Sequence, residues 1–286
     1  MPRFGAHLSI AGGVDRAVDR AALLRCECLQ LFVKSPSQWR FAALQDATVE
    51  RFRASAARAG LRPLVGHASY LVNLASPDPS LWERSRRCVL QEWDRGARLG
   101  LDYLVLHPGA HMGSGAPAGI QRIARALDWL HRQRFDRLTR ILLETTAGAG
   151  TVLGGTLEEL RAILAASACA DRLGVALDTC HLFAAGYDLR TPEALHATLG
   201  RLDAAVGLER VAVVHANDSK GGLGSGLDRH EHIGRGQIGR EGFRLLVNHP
   251  ALEALPFILE TPKEDARGRK MDPANLRALR RLVTPS

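Results

Sequence analysis

Five histidines and four carboxylates stand where metal ions could be gripped: His67, His107, Glu144, Asp178, His181, His215, Asp228, His230 and Glu260. The pattern is clearest in residues 174–187, GVALDTCHLFAAGY. Val175, Ala176 and Leu177 form an apolar run suited to a strand buried on both faces. The run stops at Asp178, and His181 follows three residues later. A carboxylate has no packing use at the tip of an apolar strand, whereas a carboxylate and an imidazole just beyond one make a normal start to a metal site. Taken alone, the stretch has a second reading, in which Asp178 caps the next helix and His181 is a satisfied loop histidine. Five other apolar runs end the same way, at His67, His107, Glu144, His215 and Glu260, and capping does not explain six in succession. Asp228 and His230 are alternate residues of extended chain and point the same way, so the two can share an ion. A zinc ion takes about four protein ligands, or three plus water. Nine ligands with sharing therefore imply two or three ions. The mixed oxygen and nitrogen set suits zinc and admits manganese or iron.

The elements that must position these residues alternate along the chain. Strand patterns fall at 4–8, 29–33, 64–66, 103–106, 141–143, 175–177, 211–214 and 257–259. Helical periodicity fills the intervals at 12–25, 48–59, 79–99, around 120–130, at 156–166, 191–206, 240–247 and 273–282. Pro79 suits a first helical turn, and Thr156 with Glu159 forms a capping box. Eight βα units in a chain of this length fit a closed (β/α)8 TIM barrel, with the polar strand ends gathered at its C-terminal mouth. No linker interrupts the pattern, so residues 1–286 read as a single domain. The glycine-rich segment 217–239 is too long for a plain connection and reads as functional. His7, His111 and His232 fall near the mouth as partners for ligands. His131, His196 and His249 fall in helical or surface segments.

The 286 residues carry a formal net charge of +8, nearly all of it from arginine, with only Lys34, Lys220, Lys263 and Lys270 as lysines. That balance favours a polyanionic partner, although basic enzymes with small anionic substrates share it. The five cysteines have no metal-type spacing, and their odd number argues against a disulfide framework. No leader pattern and no apolar run of membrane-spanning length is seen. A soluble protein of a reducing cytoplasm is expected. No P-loop, HExxH or G-x-S-x-G motif occurs, and 148–150 does not complete a dinucleotide fingerprint.

Several stretches carry a more specific signal: His67-Ala68-Ser69-Tyr70, His107-Pro108-Gly109, Glu144 with Ala147-Gly148, Asp178-Thr179-Cys180-His181, and Phe183 to Asp188. His215-Ala216-Asn217-Asp218, Asp228-Arg229-His230 and Gly234-x-Gly236 complete the set. Together they resemble the endonuclease IV-type apurinic/apyrimidinic endonucleases, from Gly5-Ala6-His7 to Leu259-Glu260-Thr261. The resemblance implies the same barrel and three zinc ions. It implies His67, His107 and Glu144 on the first ion. Glu144, Asp178, His215 and Glu260 fall on the second, with Glu144 bridging, and His181, Asp228 and His230 on the third. It gives Glu144 and Glu260 catalytic roles, and it places Ser37, Gln38, Trp39 and Tyr70 against DNA.

Four departures lie outside the ligand set. Ser37 replaces an Arg that family members push into the duplex, Thr145 replaces an Asn, Ala149 a polar residue, and Arg235 an acid. The expected activity is hydrolysis of the phosphodiester bond 5′ to an abasic site in double-stranded DNA, by a monomer. The alternative is a metal-dependent sugar isomerase or epimerase on the same barrel. Such an enzyme needs fewer ligands and a free base, so the extra Asp228 and His230 argue against it. A basic, metal-stabilised DNA-binding protein without catalysis fits less well, because structural metal sites are closed and preferably cysteine-rich.

Overall fold

The computed structural model describes residues 1–40, 42–133 and 138–284. Eight parallel strands close a barrel: β1 (Arg3–His7), β2 (Cys28–Phe32), β3 (Leu64–His67), β4 (Tyr103–Leu106), β5 (Arg140–Glu144), β6 (Leu173–Asp178), β7 (Val211–His215) and β10 (Pro256–Leu259). Each neighbours the next in sequence, and β10 closes onto β1 through Phe4 opposite Phe257. Helices α1 (Asp15–Leu23), α2 (Asp46–Arg58), α3 (Pro79–Leu99), α4 (Ala116–Gln133), α5 (Leu157–Ala166), α7 (Pro192–Val206), α8 (Gly239–Val247) and α9 (Asp272–Arg280) lie outside. None of the described helices is long and apolar enough to cross a membrane.

The strands alternate between two apolar layers. Cys28, Val65, Val105, Leu142, Ala176, Val213 and Ile258 fill the barrel interior, while a larger cluster packs strands against helices. Branched Val, Leu and Ile side chains dominate this interior, with the small Cys28 and Ala176 between them, so it is a packed core and not a pore. Caps then fix where the helices start. Asp78 accepts from Ser80 N and Leu81 N ahead of Pro79, and Gly100 ends α3 in the left-handed region at φ 76°. The Thr156–Glu159 capping box forms at α5 as expected.

The structure differs from the sequence expectation in three places. The first helix begins at Asp15 rather than at residue 12, because Gly12 and Gly13 hold φ of 87° and 128°. A further short helix, α6 (Thr179–Ala184), follows β6 directly. The long segment after β7 is folded by a two-stranded hairpin, β8 (Asp218–Ser219) with β9 (His230–Glu231). Asp218 organises that segment by accepting from Gly236 N at 2.9 Å and Ile238 N at 3.0 Å. Gly236 is required there, since a Cβ would lie 2.4 Å from Ser219 O.

Candidate metal centre

The strand ends converge as a closed barrel demands. His67, Glu144, Asp178 and His215 are the last residues of β3, β5, β6 and β7, and His107 and Glu260 come immediately after β4 and β10. His181 projects from the first turn of α6, and Asp228 and His230 arrive from the hairpin segment. Glu144 is fully buried at the centre. Its Oε2 lies 3.1 Å from His67 Nε2 and 3.0 Å from His107 Nε2, while its Oε1 lies 2.8 Å from His215 Nδ1. One carboxylate thus offers its two oxygens to two separate sets of donors. Donor atoms of His67, His107 and Glu144 fall within 4.8 Å of one another, as do those of Glu144, Asp178, His215 and Glu260. A third group joins Asp178, His181 and His230 at the same spacing. Asp228 Oδ1 stands beside it, 3.2 Å from His181 Nε2 and 3.4 Å from His230 Nε2. All nine residues singled out in the sequence are therefore brought together, with Asp178 added to the third group.

A ring of further hydrogen bonds fixes which nitrogen each imidazole presents. Nδ1 of His67, His181 and His230 donates to the carbonyls of Ala68 (2.7 Å), Thr145 (2.8 Å) and Glu260 (3.1 Å). Each Nε2 therefore carries its lone pair toward the centre. His215 is reversed, since its Nε2 donates to Gln30 Oε1 at 2.8 Å and frees Nδ1. Gln30 turns its amide nitrogen to Glu260 Oε1 at 2.5 Å. Asn217 donates to Asp178 Oδ2 at 2.6 Å and accepts from Glu260 N at 2.9 Å. His7 Nδ1 lies 3.0 Å from Glu260 Oε1, which matches its expected place behind a ligand. His111 and His232 do not share that place. His111 Nδ1 accepts from Gly115 N and His232 Nδ1 pairs with the Asn275 amide, so both hold loops. In the sequence Asn217 stood only within the stretch His215-Ala216-Asn217-Asp218, with no role of its own, and Gln30 was not singled out. The only signal for Gln30 was a polar residue inside an apolar strand run.

Electrostatics tests whether cations suit this cradle. Burial alone would raise Glu144, yet His107 and His215 hold it well below the usual carboxylate range. Burial would likewise lower His215, and the negative Glu260 and Glu144 instead carry it up to about 9. His181 is also held well above its ordinary value against burial, first by Asp178 and then by Asp228 and Glu144. Nε2 of His181 and of His230 is buried with no hydrogen-bond partner, although carboxylate oxygens lie close by. A buried nitrogen lone pair with no proton to accept calls for an ion. The donor set, all imidazole and carboxylate, fits a hard or borderline divalent metal.

A family profile described as a xylose isomerase-like TIM barrel matches residues 18–282. A protein named probable endonuclease 4 from Chloroflexus aggregans is 48% identical over 284 residues, covering 99% of each chain. Another so named, from Methanoculleus marisnigri, is 44% identical with 98% of each chain covered. The chain belongs to the endonuclease IV family. The crystal structure of endonuclease IV from Thermus thermophilus is 43% identical and superposes with a TM-score of 0.85 over 98% of each chain. A D-tagatose 3-epimerase-like protein reaches a TM-score of 0.73 at 18% identity over 98% of this chain and 96% of its own, which shows a shared barrel and no more.

Around the centre of this endonuclease IV family member lie the residues expected to face DNA. Ser37 and Gln38 are exposed on the loop after β2. Trp39 is half-buried beneath the Arg84 guanidinium, 4.3 Å from its ring. Tyr70 is 70% exposed and stands edge-on to Phe32 at 5.3 Å, at the rim beside His67. Among the departures, Thr145 has a definite job. Its hydroxyl accepts from Asp178 N at 2.9 Å while its carbonyl orients His181. Nothing in the structure explains Ala149.

Proposed function

We propose that this chain is a DNA-repair endonuclease that hydrolyses the phosphodiester bond 5′ to an abasic site in double-stranded DNA and leaves a 3′-hydroxyl. It works as a monomer with three zinc ions, for which manganese or iron can substitute. The observation that carries this reading is the third donor group, His181, His230 and Asp228, set beside the two groups that share Glu144. A sugar epimerase on this barrel has no use for it. His67, His107 and Glu144 would hold one ion, Glu144, Asp178, His215 and Glu260 the second, and His181, Asp228 and His230 the third. When bound, such ions supply a nucleophile from water at neutral pH and neutralise the charge that builds on the phosphate and the leaving oxygen.

The chain's own residues do the rest. Glu144 and Glu260 are the catalytic carboxylates, and their negative charge, kept at neutral pH by the surrounding histidines, would hold the cations at the mouth. Gln30 and Asn217 keep Glu260 and Asp178 from rotating away. Tyr70 remains protonated, because partial burial and then the negative Glu260 and Glu144 push its phenol up to about 12. Its hydroxyl can therefore donate to the flipped sugar or its phosphate. A nucleotide without a base leaves the stack cheaply, and Gln38, Trp39 and Ser37 stand at the rim to meet the gap.

Metal analysis combined with incision of an abasic duplex tests the proposal. About three ions per chain are expected, by the four-ligand rule with sharing, together with cleavage on the 5′ side of the lesion. A single tightly bound ion, indifference to loss of Asp228 and His230, and turnover of a ketose would move the assignment to the epimerase reading.

A further inference from the structure

An ion pair outside the metal centre joins the two loops expected to meet DNA. Lys34 Nζ lies 3.1 Å from Glu92 Oε1, and both side chains are only 1% exposed. A pair buried this deeply contributes little net stability, because desolvation offsets the attraction. Its hydrogen bonds point to another use. Lys34 Nζ donates to Gln38 O at 2.7 Å and to Ser35 O at 3.3 Å, within the loop after β2. On the other side, the Glu92 carboxylate accepts from Ser69 N at 3.3 Å, in the residue before Tyr70. Two turns earlier on α3, Ser85 Oγ accepts from Asn73 N at 3.0 Å. One turn later, Arg95 donates to Val33 O at 2.8 Å and Ala42 O at 2.9 Å. One face of α3 therefore anchors both loops, and Glu92 touches both of them.

We propose that the buried Lys34–Glu92 pair is a positioning clamp that sets Gln38 and Tyr70 at a fixed spacing, matched to the gap left in a duplex when an abasic nucleotide flips out. The proposal rests on the DNA-repair reading above. The clamp grips backbone and leaves side chains free. It holds the carbonyl of Gln38 and the amide preceding Tyr70, while the Tyr70 side chain stays 70% exposed and Gln38 stays at the surface. Two probes on separate loops that must enter one base stack lose affinity if each has to be ordered on binding. Holding both to a single carboxylate on a rigid helix removes that cost beforehand.

The test uses the metal-loaded full chain with Lys34→Met and Glu92→Leu made together, since replacing both charges avoids leaving one buried alone. Without DNA, the amides of Ser35, Ser37, Gln38 and Trp39 and of 69–73 are expected to exchange roughly tenfold faster or more, in both loops together, with the barrel strands unchanged. Affinity for an abasic duplex should fall roughly tenfold, while metal content and the single-turnover rate at saturating DNA hold. Gln38→Ala and Tyr70→Ala should each cost less affinity in that background than in the wild type, because the side chains no longer act as a set. Exchange that stays at wild-type rates, or affinity losses that simply add, overturns the clamp. Loss of bound metal would make the pair a support of the barrel and also overturn it. A wild type that neither binds nor cuts abasic DNA overturns the functional reading itself, independently of what exchange shows in the loops.

Discussion

The proposed chemistry rests on Glu144 more than on any other side chain, because its two oxygens face different donor groups while none of it is exposed. Glu144→Gln keeps the shape and removes the charge. Incision is expected to disappear and at least one ion to be lost; a near-normal rate measured in single turnover would contradict a bridging role. Gln30 offers a subtler test. Replacing it with Leu leaves every ligand in place but frees the His215 ring and the Glu260 carboxylate, which it holds at 2.8 and 2.5 Å. Loss of such a supporting partner costs on the order of 10–100-fold in metal affinity. A competition titration with a chelating dye should show that drop, and unchanged affinity would mean that His215 and Glu260 orient themselves. The two residues also differ in how legible they were. Glu144 could be picked out because a charge at the end of an apolar run has few uses. Gln30 sits inside such a run, at Cys28-Leu-Gln-Leu-Phe32, and only the register of the closed barrel shows that its amide reaches His215.

At the level of elements, the alternation of strand and helix was readable because apolar periodicity changes sharply at each boundary. What depended on a few long-range contacts was not readable. Helix α6 is six residues long and fully buried, so no amphipathic stripe marks it. Asp178 has geometry for both readings of that stretch. Its Oδ1 accepts from His181 N at 2.9 Å as a helix cap, while its Oδ2 takes the Asn217 amide and lies 3.5 Å from His230 Nε2. The β8–β9 hairpin was hidden for a similar reason, since the buried Asp218 that organises it works through backbone amides far along the chain. The loop after β2 bears its own prediction. Ser37 is exposed beside Ser35, their hydroxyls 3.4 Å apart, and is too short to span a base stack. Unstacking costs a few kcal/mol per step, so a longer wedge should repay part of it. Ser37→Arg is expected to tighten binding of an abasic duplex by roughly tenfold and to leave the single-turnover rate nearly unchanged. Tyr70→Ala should then cost less in the Arg variant than in the wild type. Affinity that stays the same or weakens in Ser37→Arg would show that another segment fills the gap.

The whole molecule carries +8, and the placement of that charge decides what it does. Arg40, Lys220, Arg229 and Arg235 are exposed on loops that leave the C-terminal ends of the strands, and Arg84 is exposed on α3 next to Trp39. All stand on the side of the barrel where the nine candidate ligands gather. Lys220 is only loosely engaged, 3.9 Å from Glu231, so it too is available to a polyanion. The other end of the barrel is also basic, with Arg3, Arg62 and Arg140 around a cavity, but Asp102 ties Arg62 at 2.9 Å and Glu209 lies among them. The mouth is therefore the better footprint for a phosphate backbone. Each neutralised phosphate releases condensed counterions, and about five such contacts give a log–log slope of affinity against salt near −4.5. If these cations meet the phosphate backbone and not the bases, the slope should be the same for an abasic duplex and an intact one, with the lesion changing only the intercept. Neutralising one of them, as in Arg229→Gln, should make the slope shallower by about one while the bound metal stays in place. Binding isotherms across a salt series, run on both duplexes with the wild type and Arg229→Gln, decide the matter. A flat profile would mean that the net charge is not a DNA footprint. A slope that Arg229→Gln leaves unchanged would move the footprint off the hairpin segment and onto the α3 side of the mouth.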